Sequence, residues 1–249
     1  MFGKLLHYEF RKCRSSKIML LGITAVLELL FLIGILSKDE NVLAISVVLL
    51  TITAIVGVIG LGIESVITLH RDMNTRQGYM LFMTPNSSLK ILGAKVLENG
   101  LSMLLAAVFF GALGFLDVSL LFSYFGELDR LWQILSEMME QFIPTLELNW
   151  GTAAVLILDM LCSWLAMVNM GYLADVLASS VLRGKKAGGF VAFLLFLALS
   201  FLMGWLQQTL VPETLPIIQR QIWFSVVALA CAAGMYFLTA YVMERKLSV

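Results

Sequence analysis

Six long apolar runs constrain this chain more than any other feature of its sequence. They cover residues 18–36, 42–69, 94–117, 151–177, 188–206 and 222–243. Because about 20 helical residues cross a bilayer core roughly 30 Å thick, each run is long enough to span a membrane. Hydrophobic residues make up 60% of the 249 residues and charged residues only 14%, against roughly a quarter charged in soluble domains. The sequence predicts an all-α, polytopic membrane protein with six transmembrane helices, forming a single transmembrane domain over residues 1–249.

The lysines and arginines predict how these spans are oriented. Six crossings place both termini on one side, and most of the cations fall there. Those on the terminus side are Lys4, Arg11, Lys12, Arg14, Lys17, Arg71, Arg76, Lys90, Lys95, Arg183, Lys185, Lys186, Arg245 and Lys246. Only Lys38, Arg130 and Arg220 fall on the other side. By the positive-inside rule we expect a multi-pass protein of the cell membrane with both termini cytoplasmic.

Two further segments are amphipathic without being long enough or apolar enough to span. The first has apolar side chains at helical spacing, at Phe2, Leu5, Leu6, Phe10 and Cys13. It predicts an N-terminal cytoplasmic interfacial helix. We do not expect a cleaved signal peptide, since a spanning run follows and no small-residue cleavage site comes after it. The second segment, 127–143, repeats its apolar residues at three- and four-residue steps and predicts an outer amphipathic helix.

The chain shows no motif for catalysis or for nucleotide binding. The segment "RGKKAGG", residues 183–189, lacks both the upstream glycine and the Ser or Thr of a phosphate-binding loop. Its three cysteines and two histidines have no metal-ligand spacing. No Ser, Cys or His stands in the context of a nucleophile and its base. We therefore expect no catalytic residues, no metal, no cofactor bound by this chain and no enzymatic activity of its own.

Acidic residues inside the spans are the strongest candidates for function. A charge at the bilayer centre costs at least about 2.5 kcal/mol, so such residues face protein or water. Glu28, near the middle of the first span, either lines a translocation path as a polar or proton-titrating group or joins two helices by a hydrogen bond. Asp159, in the fourth span, has the same alternatives. Glu98 lies three residues after Lys95, and this spacing predicts a local ion pair.

Three other acids lie nearer to predicted span ends. Glu64 and Asp175 are close to the cytoplasmic ends, where we expect their side chains to extend towards water. Asp117 is similarly close to the outer face.

The stretch "TRQGYMLFMTPNSSLKILGAKVLENG", residues 75–100, differs from the spans on either side of it. Its apolar cluster at residues 79–83 is too short to cross a membrane, and Thr84 and Pro85 interrupt the chain after it. Asn86, Ser87 or Ser88 can then cap a new helix. Exposure of five neighbouring apolar side chains to water is unfavourable, so we expect the cluster to dock on lipid or on a partner protein.

This stretch resembles the loop after the second span in permease subunits of exporter-type ABC transporters of the type-2 class. In that family a Gly-Tyr-apolar run, a Thr-Pro and a Ser precede a Gly-x-Lys that enters the third span. The matching positions are Gly78, Tyr79, Leu81, Pro85, Ser87 and Lys95. The segments "LLHYEFRK" and "GYLADVLASSVLRGKKAGGFVAF" are also similar to that family.

The resemblance implies a coupling helix that seats on a cytosolic ABC ATPase subunit. Its residues would be Arg76, Gly78, Tyr79, Met80, Leu81, Phe82 and Pro85. ATP and Mg would be bound by that partner, and a second permease chain would complete a homodimer or heterodimer in the lipid. No nucleic-acid partner is expected.

The expected function is that of the membrane-spanning subunit of an ATP-driven exporter. Spans rich in Met, Phe and Leu favour a hydrophobic or amphipathic cargo, a lipid or a peptide. The alternative is a proton- or ion-coupled secondary transporter using Glu28 and Asp159. A non-transporting membrane partner, such as a sensor or an immunity protein, is a third possibility.

Overall fold

The computed structural model describes residues 2–74, 87–125, 150–182, 188–212 and 214–247, and all regular structure within them is helical. The seven helices of these ranges are α1 (Phe2–Lys12), α2 (Arg14–Ser37), α3 (Glu40–Asn74), α4 (Ser88–Phe125), α5 (Trp150–Leu182), α6 (Gly188–Leu210) and α7 (Ile217–Leu247). The predicted all-α architecture is thereby confirmed. The predicted coupling helix and outer amphipathic helix fall outside the described residues.

Helices α2 to α7 are the six that are long and apolar enough to cross a membrane. They match the six apolar runs in order, and the chain is a multi-pass membrane protein. Helices α3 and α4 contain 35 and 38 residues, or about 52 and 57 Å at a rise of 1.5 Å per residue. Both exceed the bilayer core of about 30 Å, because each helix continues through the polar residues that flank its apolar run.

The connection between α2 and α3 is tight. Lys38 ends α2 in the left-handed conformation, with φ 58° and ψ 32°, and the Asp39 amide donates to the carbonyl of Gly34 at 3.3 Å. The Asp39 carboxylate accepts from the amide of Asn41 at 3.0 Å, so it caps the start of α3. These bonds satisfy backbone groups that a helix end otherwise leaves unpaired.

The contacts divide the chain into two compact units. The first contains the described residues within 1–7, 62–100 and 146–249, and the second those within 8–61 and 101–145. The first unit therefore holds the end of α3, the start of α4 and all of α5, α6 and α7. A single transmembrane domain remains a prediction.

In the first unit, α5 packs against both α6 and α7. Its main core, here called the four-helix cluster, brings together α3, α4, α5 and α7. Its buried members are Leu69, Leu92, Val168, Tyr172, Val176, Ala240 and Met243. A second core joins α5, α6 and α7 through Cys162, Ala166, Met170, Met203, Ala228 and Ala232.

Glycines allow α3 and α5 to approach each other closely in the first unit. A Cβ atom on Gly62 would lie 2.9 Å from the Trp164 ring, and one on Gly171 would lie 2.7 Å from a Val66 methyl. Residue numbers rise together along the two helices at these contacts, so α3 and α5 run in the same direction. This is the arrangement that six consecutive crossings require of the second and fourth spans.

The second unit contains the end of α1 and all of α2, together with α3 up to residue 61 and α4 from residue 101. Leu20 of α2 packs against Gly57 of α3. A Cβ atom on Gly57 would lie 2.7 Å from Leu20 Cδ1. Lys17 of α2 donates from Nζ to the Ser102 hydroxyl of α4 at 2.5 Å. Small residues and polar side chains thus join the spans here, as is usual where lipid weakens the hydrophobic drive for helix association.

Candidate functional site

The predicted coupling residues, Arg76, Gly78 to Phe82 and Pro85, lie outside the described residues, but both flanks of that segment are described. Asp72 lies two residues before the end of α3, and Lys95 lies in the second turn of α4. Lys95 Nζ donates to Asp72 Oδ2 at 2.7 Å. Lys95 is 2% exposed and Asp72 is 8% exposed. A buried ion pair therefore joins the two helices that lead into and out of the segment.

The start of α4 is also attached to α7. The Tyr236 hydroxyl donates to the Leu89 carbonyl at 2.6 Å. Leu89 is the second residue of α4, so this bond holds the beginning of the helix. A Cβ on Gly93 would lie 2.9 Å from the same hydroxyl. Only a residue without a side chain permits this approach of α4 to Tyr236.

The end of α3 is attached to α5 by two polar contacts. His70 Nδ1 and Asp175 Oδ1 lie 2.7 Å apart, and the Ser65 and Tyr172 hydroxyls share a hydrogen bond. The sequence-based expectation that Asp175 extends towards water is wrong, since its residue is only 5% exposed. Asp175 shares the buried face of α5 with Tyr172 and Val176, and no sequence signal distinguishes that face in a helix apolar all round.

Lys95 and Glu98, predicted to pair with each other, are both buried. The partner that the structure shows for Lys95 is Asp72, a residue that the sequence analysis did not single out. A local pair of Lys95 with Glu98 remains a prediction. Asn99 follows Glu98 in α4. Its side-chain oxygen Oδ1 accepts a hydrogen bond from Trp164 Nε1 at 2.9 Å, and this bond joins α4 to α5.

Asp159 joins α5 to α7. Its Oδ1 accepts from the Ser225 hydroxyl at 2.9 Å, and its Oδ2 accepts from the Gln221 amide. Both carboxylate oxygens thus have a neutral donor from the neighbouring span. Of the two alternatives for Asp159, this geometry matches a helix-joining group, because polar side chains that hydrogen-bond across spans hold them together.

Glu28 lies in the second unit and meets another acid. Its carboxyl group lies beside that of Asp117 on α4, and its Oε2 atom is buried without a hydrogen-bond partner among the described residues. Two acidic side chains side by side within spans are an unfavourable arrangement, which marks this position as a candidate functional site. Asp117 was placed near the outer face by the sequence, which gave no sign that it faces Glu28.

No metal centre is present in the described ranges, where no three or more His, Cys, Asp or Glu side chains are grouped as ligands. The three cysteines are free thiols, and Cys13 and Cys162 are buried.

No protein-family model, curated protein or solved structure matches the chain.

Proposed function

We propose that this chain is the membrane-spanning permease subunit of an ATP-driven exporter. A second permease chain and separate cytosolic ABC ATPase subunits complete the transporter, and those subunits bind ATP and Mg. The cargo is hydrophobic or amphipathic, a lipid or a peptide. The chain itself hydrolyses no nucleotide, and both of its termini are cytoplasmic.

One observation carries this proposal, the buried ion pair of Asp72 and Lys95 at the flanks of the predicted coupling segment. A coupling element must pass a displacement to the spans, so both of its ends need firm attachment. Asp72 and Lys95 join the ends to each other, Tyr236 holds the start of α4 against α7, and His70 holds the end of α3 against α5. The two flanks of the segment are therefore held to each other and to the spans α5 and α7 within the first unit.

The experiment is reconstitution of the chain with an ATPase that carries a phosphate-binding loop and is encoded beside it. We expect the two to co-purify and the chain to stimulate ATP hydrolysis. The double variant Tyr79→Asp with Phe82→Asp should still insert, because neither residue lies in a span, but should lose coupling between hydrolysis and transport. Asn86→Asp with Ser87→Asp is the matched control, since it adds two charges to the same segment outside the apolar cluster.

Two results would contradict the proposal. One is full coupled activity in the Tyr79→Asp, Phe82→Asp variant, which would remove the coupling role. The other is the absence of any associated ATPase, together with transport or signalling that persists without ATP. If both double variants lose coupling equally, the added negative charge, rather than the change in the apolar cluster, is the cause of the loss.

A second candidate function, proton-coupled secondary transport, is favoured by the closeness of Glu28 and Asp117, because acidic side chains inside spans are the groups that such a mechanism uses. Asp159, with both oxygens accepting from neutral donors, is the weaker of the two acids proposed for it. Under this candidate a protonophore abolishes transport while ATP is maintained, and Glu28→Gln abolishes transport with no ATPase present. Under the exporter proposal transport survives the protonophore and requires the ATPase.

A further inference from the structure

Helix α1 carries a row of basic side chains on its exposed face. Lys4, His7 and Arg11 recur at steps of three and four residues, which places them along one face of the helix, and all three are exposed. Arg14, the first residue of α2, is exposed as well. These four residues are here called the basic face. Tyr8, 51% exposed, lies beside them.

The opposite side of α1 is turned towards the protein. Leu5, Leu6 and Phe10 are half-buried, and Glu9 is 2% exposed. Glu9 is the only acidic residue of α1, so the basic face has no carboxylate on its own helix. A helix that simply faced water would be expected to mix charges of both signs on its exposed side.

The cations of the basic face are also not neutralised elsewhere in the described part of the chain. Lys4, Arg11 and Arg14 make no ion pair with any carboxylate there. Three uncompensated cations thus stand immediately before the first span. The end of a span lies at the level of the lipid headgroups, so we expect these cations to meet headgroup phosphates.

We propose that the basic face binds the headgroup phosphates of anionic phospholipids. Arginine presents a planar fork of N–H donors that matches phosphate oxygens, and an anionic leaflet attracts cations held next to a span. Tyr8 has the amphipathic ring that is enriched at the headgroup level. The inference is independent of the export function and holds for any protein with this topology.

The test uses the full-length chain in phosphatidylcholine nanodiscs that contain a spin-labelled lipid probe. The measured quantity is the preference for spin-labelled phosphatidylglycerol over spin-labelled phosphatidylcholine, taken from the motionally restricted fraction. At about a fivefold gain per cation near an anionic surface, we expect Lys4→Gln with Arg11→Gln and Arg14→Gln to lower this preference at least fivefold. Raising the salt should weaken the wild-type preference but change that of the triple variant little.

The matched control is Lys38→Gln with Lys90→Gln and Arg220→Gln, which removes the same net charge from exposed residues outside the basic face. It should retain the wild-type preference within about twofold. Cys162, buried in the first unit, must remain unreactive to thiol reagents in both variants, which shows that they are folded. Lys4→Arg with Arg11→Lys and Arg14→Lys should restore the preference, because it keeps every charge.

Three results would overturn the proposal. An unchanged phosphatidylglycerol preference in the basic-face variant would show that the lipid binds elsewhere. An equal loss in the control would show that net charge alone attracts the lipid. If the basic-face variant instead keeps its lipid preference and loses a protein partner, the basic face is a protein-docking surface.

Discussion

Replacement of Lys95 by methionine should lower the free energy of unfolding by about 3–5 kcal/mol, the cost of breaking a buried ion pair from one side. The Lys95 ammonium lies 2.7 Å from Asp72 Oδ2, where the Coulomb attraction at an effective dielectric constant of about 20 is roughly 6 kcal/mol. Part of that attraction is offset by the cost of removing both groups from water. The variant loses the attraction but still buries the Asp72 charge.

A double variant distinguishes the contribution of the ion pair to stability from that of side-chain packing. Asp72→Leu combined with Lys95→Met removes both charges, so the double variant should be less destabilised than the sum of the two single changes by about 2–4 kcal/mol. Lys90→Met is the control, because Lys90 is an exposed lysine on the same helix and should change stability by no more than about 0.5 kcal/mol.

With Cys13 and Cys231 replaced by serine, unfolding can be followed through the thiol of Cys162, which is buried in the first unit and becomes reactive when α5, α6 and α7 separate. The protein is titrated with denaturing detergent in mixed micelles, and dye labelling gives the folded fraction. Strict additivity of the Lys95→Met and Asp72→Leu effects would refute the reasoning. So would an effect of Lys90→Met as large as that of Lys95→Met.

Two further changes test the contacts of α5 by the same thiol measurement. Gly171→Ala should lower the free energy of unfolding by about 1–3 kcal/mol, because its Cβ would lie 2.7 Å from a Val66 methyl. Adding Val66→Ala should recover most of that stability. An unchanged stability of the Gly171→Ala variant would contradict the close approach of α3 and α5. Asp159→Leu leaves two donors unpaired, those of Gln221 and Ser225, and should lower the free energy of unfolding by about 1–3 kcal/mol for each. Asp159→Asn keeps an acceptor oxygen and should lower it less. Equal effects of leucine and asparagine would mean that these hydrogen bonds contribute nothing.

The spans were predictable because their signal is local. A run of apolar residues determines that a segment crosses a membrane, and all six runs became helices in the expected order. The helix ends were less predictable, since α3 continues beyond its apolar run through polar residues such as Asp72, whose buried partner Lys95 lies in α4. Their ion pair satisfies these polar residues in the folded chain, and only the tertiary structure provides it.

The partners of the polar residues could not be predicted for the same reason. Spacing along one helix suggested Glu98 for Lys95, and only the position of α3 beside α4 supplies Asp72. Glu28 and Asp117 are each recognisable as unusual acids in a span, but nothing in the sequence says that their helices are neighbours. Asp175 was misjudged because its distance from the end of a span does not reveal which face of the helix is covered.

The discontinuous composition of the first unit has a consequence for the order in which the protein is made. Asp72 and Lys95 belong to consecutive spans, so they can neutralise each other as soon as the second hairpin has entered the membrane. Asp175 is synthesised long after His70, and Met243 and Ala240, which complete the four-helix cluster, come last of all. A nascent chain that has not yet released its final span therefore has an incomplete core. Truncation of α7 should make the protein a target of membrane quality control rather than yield a smaller stable membrane protein.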